Sequence, residues 1–121
     1  MTKLLFVYNA NSSLFNQLGD LIHKTVSPRT YPCRLCGLTY SGVSMKREWK
    51  EFIEALPFQS AFLHKDEFVK KYLTFSNTPL PAVFLEKGNS LTLFLNAQEI
   101  NKLQTLNELK DVVESKVNNE Q

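Results

Sequence analysis

Cysteine is scarce in this chain: two in 121 residues, Cys33 and Cys36, both in one Cys-x-x-Cys. So few thiols cannot build the framework of a small secreted disulfide scaffold. Long apolar runs are missing as well. Leu4 to Tyr8 is too short for a signal-peptide core and far below the roughly 20 residues of a membrane span. No later segment approaches that length, so a membrane is not expected. Within a net charge of +2 there is no block of lysine and arginine, and the aromatics sit in apolar runs instead of alternating with basic residues. Nucleic acid therefore has no recognisable footprint. A Gly-x-x-x-x-Gly-Lys loop, a Gly-x-Gly-x-x-Gly after the first apolar run and a nucleophile elbow are all missing, which argues against the common routes to nucleotide hydrolysis, dinucleotide binding and serine-type hydrolysis. The expectation is a soluble, cytoplasmic protein working in a reducing compartment.

What is present reads as one α/β domain over residues 1–121. Hydrophobic content of 43% and charged content of 21% are ordinary for a globular chain. A domain of this size hides roughly two-thirds of the surface its unfolded chain exposes, so it needs no staples. The nearly continuous apolar run Lys3–Tyr8 fits a strand buried on both faces. Leu14, Phe15, Leu18, Leu21 and Ile22 then recur at helical spacing, interrupted by Gly19 and closed by Pro28. Ser27 to Pro32 reads as a loop, and Cys33-Arg34-Leu35-Cys36 comes next. Gly37 to Gly42 reads as a short strand-like stretch, with Ser44 as cap of a helix bearing Trp49, Phe52, Ile53 and Leu56. Ser60–His64 is a further strand. Asp66 starts a helix with Phe68, Val69, Tyr72 and Leu73 turned inward. Ala82–Leu85 and Leu91–Leu95 flank Lys87-Gly88-Asn89 as a hairpin. Thr105 to Glu108 forms a capping box for a last helix burying Leu106, Leu109, Val112, Val113 and Val117, with fraying expected from Asn118.

This order, three strand–helix pairs followed by a hairpin and a helix, resembles the thioredoxin-like superfamily. The segment Leu80-Pro81-Ala82-Val83-Phe84-Leu85-Glu86-Lys87-Gly88-Asn89 is similar to the family's stretch in which a cis-proline opens a core strand and a Lys/Gly turn follows. The resemblance implies a three-layer α/β/α sandwich with a mixed central sheet, a C-terminal β-hairpin and a closing helix. It also implies a cis Leu80–Pro81 bond, with Pro81 lining a binding groove. In redox-active members the dithiol follows a buried strand and opens a helix. Here Pro28-Arg29-Thr30-Tyr31-Pro32 precedes Cys33, and Gly37, Thr39 and Gly42, poor helix formers, follow Cys36. The pair is accordingly expected to be displaced from the family's position, on a loop at the end of the sheet remote from Pro81. The family's site would then fall near Ser41–Ser44 or Asn11–Ser13, where no thiol stands.

Cys33 and Cys36 carry three readings. As a redox dithiol they are the candidate catalytic pair, with Arg29 and Arg34 favouring the thiolate. As metal ligands they have suitable spacing, but structural zinc takes four ligands, and only His23 and His64 could join them within the chain. As packing residues they are small hydrophobes in a loop. His23 and His64 each end an element, where a structural role accounts for them. Ser41 and Ser44, with Pro81, are candidate binding residues, although serines near a turn and a helix start are common. The expected function is that of a thioredoxin-like protein of unassigned activity, non-enzymatic or at most a thiol-linked redox protein using Cys33 and Cys36, meeting a protein or thiol partner. The alternatives are a non-enzymatic adaptor gripping an extended segment beside Pro81, or a metal-binding Cys-x-x-Cys protein. No cofactor is implied.

Overall fold

Along the chain the elements run β1 (Thr2–Val7), α1 (Arg34–Thr39), β2 (Tyr40–Ser41), β3 (Ser44–Met45), α2 (Arg47–Glu54), β4 (Gln59–Leu63), α3 (Lys65–Lys71), β5 (Ala82–Lys87), β6 (Ser90–Leu95), α4 (Ala97–Asn101) and α5 (Leu106–Glu120). This computed structural model describes residues 2–12, 33–41 and 44–120. The expected helix over Leu14–Ile22 and the loop from Ser27 to Pro32 lie outside the described residues.

β1 is an inner strand, as its unbroken apolar run requires. It pairs parallel with β4 on one side and antiparallel with β5 on the other, and β6 pairs antiparallel with β5. The strand order is β4-β1-β5-β6, so the fold is mixed α/β. A two-residue turn joins β5 to β6, and Gly88 within it takes a φ of 60°, the left-handed region that a Cβ disfavours. The Leu80–Pro81 peptide ahead of β5 is cis.

Strand alternation sorts the core into two parts. Leu4, Phe6, Tyr8, Val83 and Leu85 face a large cluster that takes in Leu35 and Cys36 of α1, Trp49 of α2 and Leu109, Val113 and Val117 of α5. Leu5, Val7, Ala82 and Phe84 point the other way, onto Phe68 of α3. The Phe68 and Phe84 rings stack at 5.0 Å. Helices thus cover both faces of the sheet. The Thr105/Glu108 capping box forms as read: the Glu108 N–H donates to Thr105 Oγ1 at 3.1 Å, and the Thr105 N–H donates to Glu108 Oε1 at 3.2 Å.

Several local expectations are corrected. Residues 37 to 39 are helical, not extended, and only Tyr40–Ser41 is strand. Ser44 does not cap a helix; it is the register partner of Ser41 across the β2–β3 ribbon. α2 begins at Arg47 without a capping side chain. Leu73 is 72% exposed, because α3 stops at Lys71 and a separate 3-10 turn over Leu73–Phe75 re-aims the chain. α5 runs on to Glu120, where Lys87 meets the Glu120 carboxylate at 3.2 Å. α4 was not legible by periodicity, yet Asn96 and Glu99 cap it reciprocally.

Candidate functional site

α1 is only six residues long, and its propensities oppose it: Gly37 costs about 1 kcal/mol against Ala, and Thr39 is β-branched. Burial overrides them. Leu35, Cys36, Gly37, Leu38 and Thr39 are all buried, and the Thr39 hydroxyl is satisfied by donating to the Leu35 carbonyl at 2.7 Å. A turn so placed gains from packing what an isolated short helix cannot supply.

Cys33 stands immediately before this helix with extended backbone angles, φ −150° and ψ 160°, and its sulfur accepts the Cys36 N–H at 3.4 Å. The Gly37 N–H donates to the Cys33 carbonyl at 3.0 Å. The cysteine therefore does what Ser or Asp does at an N-cap, with sulfur as the acceptor. Both thiols are free, and the two sulfurs lie 2.7 Å apart. Their surroundings differ: Cys33 is half-buried, while Cys36 is fully enclosed in the large core.

The asymmetry extends to their acidity. The Cys36 thiol, hydrogen-bonding to Cys33, is the leading cause that brings Cys33 down to about 7; the N–H groups of Cys36, Asn9 and Leu35 add to it, and burial opposes. Cys36 is pushed up, first by that same bond and then by burial and the Cys33 charge. Among the described residues, hydrogen-bond donors are thus the causes that lower it. Arg34 is exposed, and Arg29 lies outside the described residues.

The pair opens a helix and does not lie on a loop as expected. Tyr8 follows the end of β1 directly, and its ring lies 5.8 Å from that of Tyr40, which follows α1. Pro81 precedes Ala82, the antiparallel partner of Val7 at that same end of β1.

The remaining candidates separate. Ser41 and Ser44 are register partners of each other in the β2–β3 ribbon. His64 opens α3, with its N–H and its Nδ1 each 2.8 Å from Glu67 Oε1, which accounts for it structurally. His23 lies outside the described residues. Among the described residues no three His, Cys, Asp or Glu side chains gather as a metal site, and no helix is long and apolar enough to cross a membrane. No family model, no curated protein and no solved structure matches this chain. The site is accordingly described by its own geometry: an asymmetric dithiol at the start of a buried short helix, on a mixed sheet.

Proposed function

We propose that this chain is a thiol–disulfide redox protein on a thioredoxin-like scaffold, with Cys33 as the attacking thiol and Cys36 as the resolving thiol. The observation that carries the reading is the 2.7 Å pair in which one sulfur is reachable and amide-capped and the other is enclosed. Supporting it are the order β4-β1-β5-β6 with β5 antiparallel, the closing α5, helices on both sheet faces and Pro81 ahead of β5. These are the features expected of a three-layer thioredoxin-like sandwich. The partner is a protein or small molecule bearing a disulfide.

The exchange runs in two steps. The Cys33 thiolate attacks one sulfur of the partner's disulfide; that S–S bond breaks, and the other partner sulfur leaves and takes up a proton. Cys36 then loses its proton and attacks the Cys33 sulfur. The bond from Cys33 to the partner breaks, and the partner's second sulfur leaves as a thiol. Two electrons have passed from the dithiol to the partner, and Cys33–Cys36 is now a disulfide. With a partner of lower potential the same steps run in reverse.

Mixed-disulfide trapping tests this. With dithiothreitol as reductant, the wild type should accelerate reduction of insulin. Cys36→Ser should accumulate a mixed disulfide with 5-thio-2-nitrobenzoate through Cys33, and Cys33→Ser should form none. A wild type no faster than dithiothreitol alone, and unchanged by either substitution, would leave the adaptor reading in its place. Stoichiometric zinc in the purified protein would replace it with a metal-binding one.

A further inference from the structure

β6 ends the sheet, and among the described residues no strand pairs with its outer edge. The hairpin fixes which groups that edge offers. Lys87 and Ser90 close a two-residue turn, so they face each other as a hydrogen-bonded pair, and so do Leu85 and Thr92 two positions on. Leu91 and Leu93 therefore turn their N–H and C=O groups outward. Their side chains share one face of the sheet, across from Glu86 and Phe84. There Leu91 packs on the Phe84 cluster, while Leu93 is 48% exposed. Charge and proline, the usual guards of an edge, are missing from Ser90-Leu91-Thr92-Leu93-Phe94-Leu95, and the register shift of the hairpin lies past Leu93. On the other face α5 runs alongside. The Lys116 ammonium lies 5.9 Å from the centre of the Phe94 ring, and Glu120 meets Lys87 of the hairpin at 3.2 Å. A groove of 190 Å³ lined by Thr92, Leu93, Phe94, Lys116 and Glu120 runs between them. Of the α5 charges, the cation thus stands at the Phe94 end of the strand and the anion at its hairpin end.

We propose that β6 is a self-association edge, on which a second copy of this chain pairs antiparallel about a two-fold axis through Thr92. A two-fold contact has to be self-complementary, and this edge is so in its backbone, on both of its faces and in its charges. Leu91 comes opposite Leu93 of the second copy, both with outward N–H and C=O groups, and each of the two symmetry-related pairs exchanges two hydrogen bonds. On one face Leu91 and Leu93 of both copies form a single row that covers the exposed Leu93. On the other, Thr92 faces Thr92 of the second copy, a favourable cross-strand pair. Antiparallel alignment sets the Phe94 end of one strand beside the hairpin end of the other. Lys116 then meets Glu120 of the second copy, and Glu120 meets Lys116 of the second copy. In its own chain Lys116 pairs with Glu99 at 3.6 Å and Glu120 with Lys87, so association extends two exposed pairs into a network and strands no charge. Two short strands and a helix end make a small interface, so the dimer is expected to be weak, with a Kd of roughly 10–500 µM. Neither cysteine takes part, and the proposal stands apart from the thiol reading.

Sedimentation equilibrium of the full chain is the test, with dithiothreitol present so that no disulfide links two copies. The average mass should climb from monomer toward dimer as concentration rises to about 1 mM. Leu93→Lys places a charge on the edge and should stay monomeric. Leu73→Lys, at a side chain 72% exposed but off this strand, should associate as the wild type does. Lys116→Glu and Glu120→Lys lie outside the strand and keep the test open should Leu93→Lys fail to fold. Each sets like charges against each other across the two-fold and should weaken association about tenfold. An equimolar mixture of these two variants restores opposite charges at both contacts, so it should associate as tightly as the wild type. Mixing leaves the interactions within each chain unchanged, so a merely structural effect of either substitution would not be rescued. A wild type that is monomeric throughout overturns the proposal and leaves the edge to an extended segment of another protein. A dimer that survives Leu93→Lys overturns it as well, as do charge reversals that have no effect or no rescue on mixing.

Discussion

The Cys33 sulfur accepts the N–H of Cys36 at 3.4 Å while the two sulfurs lie 2.7 Å apart, so one residue caps the helix that carries the other thiol of the pair. The thiolate of Cys33 is stabilised by the very turn that buries Cys36. Reactivity and the folding of α1 are therefore coupled, and altering either thiol alters both.

The first prediction follows from that coupling. Cys33 is brought down to about 7 from an ordinary 9.0, and Cys36 is pushed up. Iodoacetamide should modify Cys33 with a midpoint near pH 7 and leave Cys36 untouched in the folded protein, as peptide mass mapping would read directly. The linkage has a sign for each thiol. Cys33 is depressed on folding, so its contribution to stability is full above the unfolded thiol value and is lost as pH falls through about 7. Cys36 is raised, so its contribution is present below the unfolded value and is lost as pH rises past it. Together they predict that the reduced protein's denaturation midpoint climbs from about pH 7 and passes a maximum near the ordinary thiol value, about 8.5 to 9. The Cys33→Ser/Cys36→Ser double variant should lack that hump.

A second prediction concerns the large core. Trp49 is fully enclosed, edge-on to Phe6 at 5.5 Å and stacked on Phe52 at 5.5 Å. Trp49→Ala should cost about 3–5 kcal/mol in chemical denaturation, and Trp49→Phe much less because a ring stays in the stack. Circular dichroism is the measurement, since the substitution removes the chain's one tryptophan. A loss below 1 kcal/mol, of the order typical of surface substitutions, would contradict this core.

The capping box gives a third. Thr105→Ala removes the acceptor of the Glu108 N–H and should cost about 1 kcal/mol. Amide exchange should quicken at the first turn of α5 and not at its middle. Glu108→Gln keeps an oxygen for the Thr105 N–H and should be milder. Equal losses in the two variants would show that charge, not the reciprocal bonds, holds this helix start.

Much of the scaffold is written locally. The apolar run Lys3–Tyr8 has no polar alternation, and only a strand covered on both faces suits it. Gly88 marks the hairpin because its left-handed φ is cheap for glycine. Thr105 and Glu108 mark the start of α5 because their side chains answer backbone donors a few positions away. Each of these signals acts over about six residues or fewer, and the physics that decides them is contained in the same stretch of sequence. The Cys-x-x-Cys pair was legible in the same way, as two thiols close enough to react.

Tertiary structure decided the rest. Gly37 and Thr39 argue against a helix after Cys36, yet α1 forms because Leu35, Cys36, Leu38 and Thr39 are taken into a core built by β1, β5, α2 and α5. Ser44, a plausible cap by residue type, is drawn instead into a ribbon with Ser41. The acidity of Cys33 owes most to the enclosed Cys36 thiol beside it, with backbone amides adding to it. Propensity and spacing describe what a segment prefers alone, within tenths to about one kcal/mol per residue. Burial of several apolar side chains exceeds that sum, and the enclosure that separates Cys36 from Cys33 exists only once the core has been assembled.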